Sequence, residues 1–303
     1  MRTKLAPMSW QVALRLGRVS NLPTVWTNTA TGIVLAGGAP VGSATLPLLA
    51  ALSLFYVGGM YLNDAFDAGI DAIERPERPI PSGKVSARTV FTAGFAMLAA
   101  GVLLLLWIGY GPAGGYGPAG GTAPWPGLCG LALAGAIVLY NWHHKDNPLS
   151  PVLMGLCRVL VYLAAGLVFV VPPPAILWLA ALLLLCYLIG LTYVAKQENL
   201  GEVGNLWPLV FLAAPVIYAL VHASASPTGL VTFALFAIWV GVALWFLGRR
   251  RPGDVPRAVV SLIAGIALLD AVLIAAAGAS GIAWLAVAGF VLTLGLQRLV
   301  PGT

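Results

Sequence analysis

The chain has 303 residues, of which 60% are hydrophobic and 9% charged, with a formal net charge of +6 at pH 7. Soluble domains carry roughly 25% charged residues, so one water-facing core is excluded and lipid must act as the solvent. Basic loops beside anionic lipid account for the positive balance, and it calls for no nucleic acid.

In chain order, residues 1–20 form an N-terminal segment holding Arg2, Lys4, Arg15 and Arg18. Within it, residues 8–18 mix Trp, Val and Leu with Arg and are expected to lie as a short helix on the membrane surface. No apolar core follows Met1 directly, so no cleavable signal peptide is expected and the first span serves as the signal. About ten stretches near the ~20-residue length that crosses a bilayer follow. They fall at 21–40, 45–63, 88–109, 124–142, 151–171, 175–194, 206–223, 228–247, 258–277 and 282–299. An all-α, polytopic membrane bundle is therefore expected. With ten spans every Lys and Arg falls on one side, and the positive-inside bias puts both termini in the cytoplasm. Cys129, Cys157 and Cys186 sit inside spans without metal-ligand spacing and read as packing residues.

All of the acidic residues except Asp270 lie on the side of the basic loops, and most form two clusters. In the first, Asn63, Asp67 and Asp71 follow at i, i+4 and i+8 and make one helical stripe, with Asp64 on the stripe beside it. Like charges at that spacing destabilise a helix, so something positive must sit among them. Hard oxygen ligands at a membrane face suit Mg²⁺, which binds through one or two carboxylates plus phosphate oxygens; a solvated acidic loop is the competing reading. Pro76, Pro79, Pro81 and Gly83 then stop the helix, and Arg75, Arg78 and Lys84 in that run could fold back over a diphosphate or serve only as positive-inside charge. The second cluster, Tyr193 to Asn205, places Glu198 and Glu202 at i and i+4 with Lys196 beside them. It follows the sixth span as the first follows the second, at equivalent places in two four-helix halves. Two carboxylate groups facing each other across a helical cavity can hold metals around a pyrophosphate.

Smaller features accompany these. Thr24, Asn28 and Thr31 share a face of span one, as a cavity wall or a close helix contact. Arg18 and Asn21 precede that span. Arg158 is buried about two turns into span five, where a carboxylate or diphosphate partner is expected. Asp270 stands alone in span nine as a packing residue, a partner for a polar side chain or a polar point in the pocket. His143 and His144 read as interfacial residues.

The Asn63-Asp64-x-x-Asp67-x-x-x-Asp71 pattern resembles the first aspartate motif of the UbiA superfamily of prenyltransferases. The Arg78-Pro-Ile-Pro-Ser-Gly83 run and the Tyr140-Asn-x-x-x-Lys145 run are similar to that family too. The resemblance covers nearly the whole chain in span order. It implies one domain over 1–303, with about nine helices around a central cavity that opens sideways to lipid. It also implies Mg²⁺ bridging an isoprenoid diphosphate donor to both acidic motifs: Asn63, Asp64, Asp67 and Asp71 on one side, Glu198 and Glu202 on the other. Glu198 and Glu202 stand where the family usually has Asp-x-x-x-Asp, and the Lys-Gln-Glu-Asn run resembles the EboC-like branch.

Under that resemblance, metal and basic residues stabilise departing pyrophosphate, and an apolar cavity shields the allylic cation from water. A small acceptor (aromatic ring, quinone precursor, haem vinyl group or polyol) takes the prenyl group. Asp64, Asp67, Glu198 and Glu202 are the expected catalytic ligands. Arg18, Asn21, Asn28, Arg75, Arg78, Lys145, Arg158, Tyr193 and Lys196 are the expected substrate contacts. A bacterial plasma membrane, with the acidic motifs cytoplasmic, is the expected location. Transfer of a sugar phosphate to polyprenyl phosphate, or lipid transport, are the rival readings. Clustering of ionisable residues at one face rather than the midplane speaks against transport.

Overall fold

The computed structural model describes residues 8–111, 122–145, 147–200 and 207–300, with the side chains of 196–200 and 207–208 outside that description. Among the described residues, eight helices are long and apolar enough to cross a membrane. The surface helix expected near the N-terminus is α1 (Trp10–Leu16), which begins at Ser9, whose side chain accepts from the Val12 backbone N–H, and turns Val12 and Leu16 inward. The first apolar stretch is α2 (Leu22–Leu35), only 14 residues long. At 1.5 Å per residue that is about 21 Å, short of the ~30 Å hydrocarbon thickness. The chain leaves it through Gly37, whose φ of 77° is a left-handed turn that glycine adopts without strain.

Then come α3 (Thr45–Phe66), the short α4 (Ala68–Glu74), α5 (Ala87–Tyr110), α6 (Trp125–His143), α7 (Ser150–Leu167) and α8 (Ala175–Leu200). The seventh apolar stretch is a six-residue 3-10 turn, Trp207–Leu212, running into α9 (Ala213–Ala223). It too falls short of a span, so among the described residues eight long helices stand in place of ten apolar stretches. The last three are α10 (Pro227–Arg249), α11 (Asp254–Ala276) and α12 (Ser280–Gln297). Serine caps start several of them: Ser86 accepts from the Thr89 N–H at 3.0 Å and Ser226 from the Gly229 N–H at 2.9 Å.

Six helices make a ring of neighbours, α2–α3–α6–α7–α8–α11, with α11 returning to α2. The ring draws α2, α3 and α6 from the first half of the chain and α7, α8 and α11 from the second. Helices α5, α9, α10 and α12 pack outside it. Burial follows that plan: 89% of the apolar window of α11 lies inside the bundle, against 22% for α12. Leu103, Trp107, Leu131 and Ile238 point outward, a surface that only lipid suits.

Helices α2 and α7 also pack directly on each other across the ring. They meet at Gly32, where an added Cβ would lie 2.5 Å from the Tyr162 carbonyl oxygen and 2.7 Å from the Ala165 Cβ. No rotamer relieves a clash with backbone. Gly32→Ala is therefore expected to cost about 1–3 kcal/mol and lower the melting temperature in detergent by several degrees. Gly135→Ala, at an open position inside α6, should be neutral or stabilising by up to about 1 kcal/mol. Equal melting temperatures for the two variants would refute a backbone-limited crossing.

Candidate functional site

The acidic stripe sits where α3 ends. Asp67 closes α3 and opens α4, yet helical bonding runs through the junction, from Asp67 N to Asn63 O at 3.0 Å and from Asp71 N to Asp67 O at 2.9 Å. The expected register is thereby kept. Asn63, Asp64, Asp67 and Asp71 are only 8%, 7%, 9% and 4% exposed, which excludes a solvated loop. Four such side chains, three of them carboxylates, cannot be buried without compensation.

Cations supply it from three directions. Arg18, between α1 and α2, donates from Nη2 to Asn63 Oδ1 at 3.1 Å and Asp64 Oδ1 at 3.2 Å. Its φ of 41° places it in the left-handed region, which costs a non-glycine residue about 1–2 kcal/mol. Tyr56 on α3 helps hold this turn by donating its hydroxyl to the Arg18 carbonyl at 3.1 Å. From the turn after α4, Arg78 reaches Asp71 Oδ2 at 2.7 Å and Asp64 Oδ1 at 3.6 Å. Gly83, with φ of 73°, lets that turn fold back. From the end of α6, Lys145 lies 3.4 Å and His144 3.6 Å from the Asp67 carboxylate. Burial pushes the Asp67 carboxyl up, but His144 and Lys145 outweigh it and hold the group below the ordinary carboxylate range.

Two members of this cluster are not evident from the sequence. His144 reads there as an interfacial residue; in the structure it stacks on Tyr140 with ring centroids 5.0 Å apart and faces Asp67. Asn141 accepts from Asn63 Nδ2 at 3.2 Å and donates to the Gly59 carbonyl at 3.1 Å. The Tyr140-to-Lys145 run points to this stretch, yet only the packing of α6 on α3 shows which side chains turn inward.

Beneath the cluster lies a cavity of about 700 Å³. Its mouth is lined by Arg18, Asn21, Arg75, Arg78, His144 and Lys145, and its depth by apolar groups such as Val25, Phe55, Leu133, Ile137, Leu188 and Ile266. Asn21 also accepts from Gln297 Nε2 at 2.9 Å. Tyr193 is half-buried on α8, where Leu188, Leu191, Thr192 and Ala195 rather than Tyr193 face the cavity. Lys196 and Glu198 belong to the α8 backbone with side chains outside the described residues' detail, and Glu202 lies outside the described residues.

Arg158, on α7, also lines the cavity. Among the described residues no carboxylate stands beside it, and its protein partners are neutral groups. Arg158 Nη1 donates to Asn28 Oδ1 at 2.9 Å and Nη2 to Thr24 Oγ1 at 3.0 Å, while its Cζ stands 5.4 Å from the Tyr56 ring centroid. Asn28 itself is fully buried off the cavity wall, so it holds the arginine rather than the space. Asp270 proves to be a partner for polar side chains. It accepts from Thr27, Asn28, Thr31 and Tyr162, and so ties α11 to α2 and α7.

The donor set suits a hard divalent cation. Among the described residues no group of three His, Cys, Asp or Glu closes into a metal cage alone. Mg²⁺ takes one or two carboxylates and completes its shell with water and phosphate oxygens. Asp64, Asp67, Asp71 and the Asn63 amide offer the oxygens.

Comparison with known proteins follows the same lines. A digeranylgeranylglyceryl phosphate synthase from Methanopyrus kandleri is 32% identical over 186 residues, 58% of this chain and 59% of that protein. Another of that name, from Ignicoccus hospitalis, is 40% identical over 96 residues, 32% of this chain and 31% of that protein. The chain thus spans less than two thirds of the length of these curated relatives. A UbiA homologue from Aeropyrum pernix superposes with a TM-score of 0.62 at 15% identity, over 85% of this chain and 97% of that one. A UbiA homologue from Archaeoglobus fulgidus, solved with GPP and Mg²⁺ bound, gives a TM-score of 0.57 at 16% identity over 86% and 99%. These likenesses establish the fold. The profile of the UbiA prenyltransferase family matches residues 24–266, and with its apolar helices the chain is an integral membrane protein that belongs to that family.

Proposed function

We propose that this protein transfers a prenyl group from an isoprenoid diphosphate to a small acceptor within the membrane, with Mg²⁺, releasing pyrophosphate. The observation that carries this is the convergence of Arg18, Arg78, His144 and Lys145, which line the mouth of an apolar cavity, on a buried Asn63-Asp64-Asp67-Asp71 cluster behind them. Mg²⁺ would be held by Asp64, Asp67 and Asp71 with the Asn63 oxygen, and it supplies charge neutralisation at the departing diphosphate. The rest falls to the chain's own side chains. Arg18, Arg78 and Lys145 now spend their donors on carboxylates; with donor present they turn those donors to diphosphate oxygens, and Arg75 at the same mouth joins them. The apolar walls seat the prenyl chain and keep water from the developing allylic cation.

Glu198 and Glu202 provide the second carboxylate pair, with Lys196 beside the donor, while Tyr193 packs off the cavity wall. The α8 backbone supports this, since it continues from cavity-lining Ala195 to Leu200. The relatives are named for a product that is a glyceryl phosphate, which supports a polyol-type hydroxyl as acceptor. The whole chain works as one unit, with the acidic mouth facing the cytoplasm of a bacterial plasma membrane.

The test is pyrophosphate release by purified protein from labelled prenyl diphosphates of several chain lengths, with lipid extract supplying acceptor. Release should require Mg²⁺ and fall at least ~100-fold in Asp67→Ala and Glu202→Ala. No release at any chain length from folded protein would overturn the reading.

Arg78→Ala separates the two duties of the mouth cations. It should weaken donor binding about tenfold, roughly the loss of one charge-assisted contact. Mg²⁺ binding without donor should hold or tighten, because a competitor for Asp64 and Asp71 is gone. Weaker Mg²⁺ binding would mean that Arg78 orders the acidic cluster instead.

A further inference from the structure

We propose that the turn between α10 and α11 binds the phosphate headgroup of an anionic phospholipid through Arg250, Arg251 and Arg257. This surface lies outside the cavity, and the inference is independent of the prenyl-transfer reading. Residues 249–257 carry four arginines and a single acidic residue, Asp254. Asp254 is fully buried, and its carboxylate is already taken. Arg249 donates to it from Nε at 2.8 Å and from Nη2, and the Arg251 backbone N–H donates to it at 3.0 Å. Arg257 reaches the same carboxylate only at 3.5 Å, with 61% of its side chain exposed. Arg250 and Arg251 are exposed, and among the described residues no carboxylate approaches either guanidinium. One carboxylate thus builds the turn, and three exposed guanidinium groups are left largely unneutralised.

The fold holds these groups at a lipid boundary. Arg250 closes α10 in a left-handed conformation, φ 55°, with its N–H bonded to the Phe246 carbonyl at 3.3 Å. Gly253, with φ of 80°, completes the reversal into α11. Helix α10 packs outside the ring, with only 28% of its apolar window buried, so lipid reaches the turn. Just before the turn, Leu244 and Trp245 are exposed, and the Arg249 Cζ stands 4.4 Å from the Trp245 ring centroid. An exposed indole beside arginines suits the headgroup level, with its apolar body towards acyl chains and the cations towards phosphate. Gln297 donates to the Val260 carbonyl at 3.5 Å, which brings the end of α12 and the exposed Arg298 to the same edge. Arginine forks match phosphate in two-point contact. Leu244 and Trp245 add an apolar contact that acyl chains can use and a soluble phosphate cannot. Val259, five residues or about 8 Å along α11 from Asp254, lines the cavity, so a lipid held here fixes the mouth at headgroup depth.

The experiment uses full-length protein in neutral phosphatidylcholine vesicles. Phosphatidylglycerol or phosphatidylcholine brominated in the acyl chains is added, and Trp245 quenching is read as the difference between wild type and Trp245→Phe. Trp107, exposed near the far end of α5, is read in the same way as a reference. Brominated phosphatidylglycerol should quench Trp245 at least ~5-fold more effectively than brominated phosphatidylcholine, and Trp107 by less than about twofold more. In the combined Arg250→Gln, Arg251→Gln, Arg257→Gln variant the Trp245 preference should fall below about twofold. Unchanged quenching of that variant by brominated phosphatidylcholine shows that it is folded.

No preference for phosphatidylglycerol at Trp245 in the wild type would overturn the proposal, whether or not the variant folds. An equal preference at Trp107 would reduce the effect to general attraction and overturn it as well. So would a folded variant that keeps the preference. Inorganic phosphate, compared with chloride at the same ionic strength, separates the two sources of a phosphate group. A preference that survives phosphate upholds the lipid headgroup. A preference lost to phosphate but not to chloride would assign the arginines to a soluble ligand and overturn the lipid assignment.

Discussion

A carboxyl group shut away from water must find every partner inside the protein, and Asp270 meets that constraint with four donors from two other helices. Thr27, Asn28 and Thr31 on α2 and Tyr162 on α7 can all reach it only if α2, α7 and α11 approach closely. Gly32 makes that approach possible, since any side chain there would meet the α7 backbone. The close α2–α7 packing lies within the six-helix ring, whose helices also line the cavity. Hydrogen bonds in membrane bundles contribute modestly one by one, but here they converge on one residue and fix three helices together. The same network sets Arg158, because the amide that serves Asp270 on one side receives the guanidinium on the other.

At the opposite end the constraint is repulsion. Three aspartates packed within two helical turns resist burial unless positive charge stands among them, and the chain brings it from the α1–α2 turn, the turn after α4 and the end of α6. One of these sources commits its backbone to the delivery, with Arg18 in a left-handed conformation. The arrangement is reversible by nature. An ion pair between side chains at a cavity mouth is held by modest energies, so a divalent cation and a diphosphate can replace it partner for partner. Burial of the cluster below bulk water, yet above an apolar chamber, gives one place where charge can be handled and one where it is excluded.

Much of this can be read without coordinates. A composition of 60% hydrophobic residues dictates a membrane bundle, and the i, i+4, i+8 spacing puts Asn63, Asp67 and Asp71 on one stripe wherever the helix goes. Hydropathy misjudges two stretches, because it measures how apolar a segment is and not how far its helix runs: α2 stops after 14 residues and α9 after 11. The isolated Asp270 resists interpretation from sequence, because its partners lie over a hundred residues away and no periodicity connects them. His144 looks interfacial for the same reason; its partner Asp67 is on another helix.

The sequence by itself thus determined the class of the protein, its apolar helices, the acidic stripe and the basic turns near it, all of them local properties of residue type and helical period. Tertiary structure alone decided which cation covers which carboxylate, that Asn28 faces Asp270 and not the cavity, and that Arg158 is held by neutral oxygens. Those are choices between helices distant in the chain. They are settled by how closely backbones can approach and by the demand that each buried polar atom be satisfied, and neither is written in any one segment.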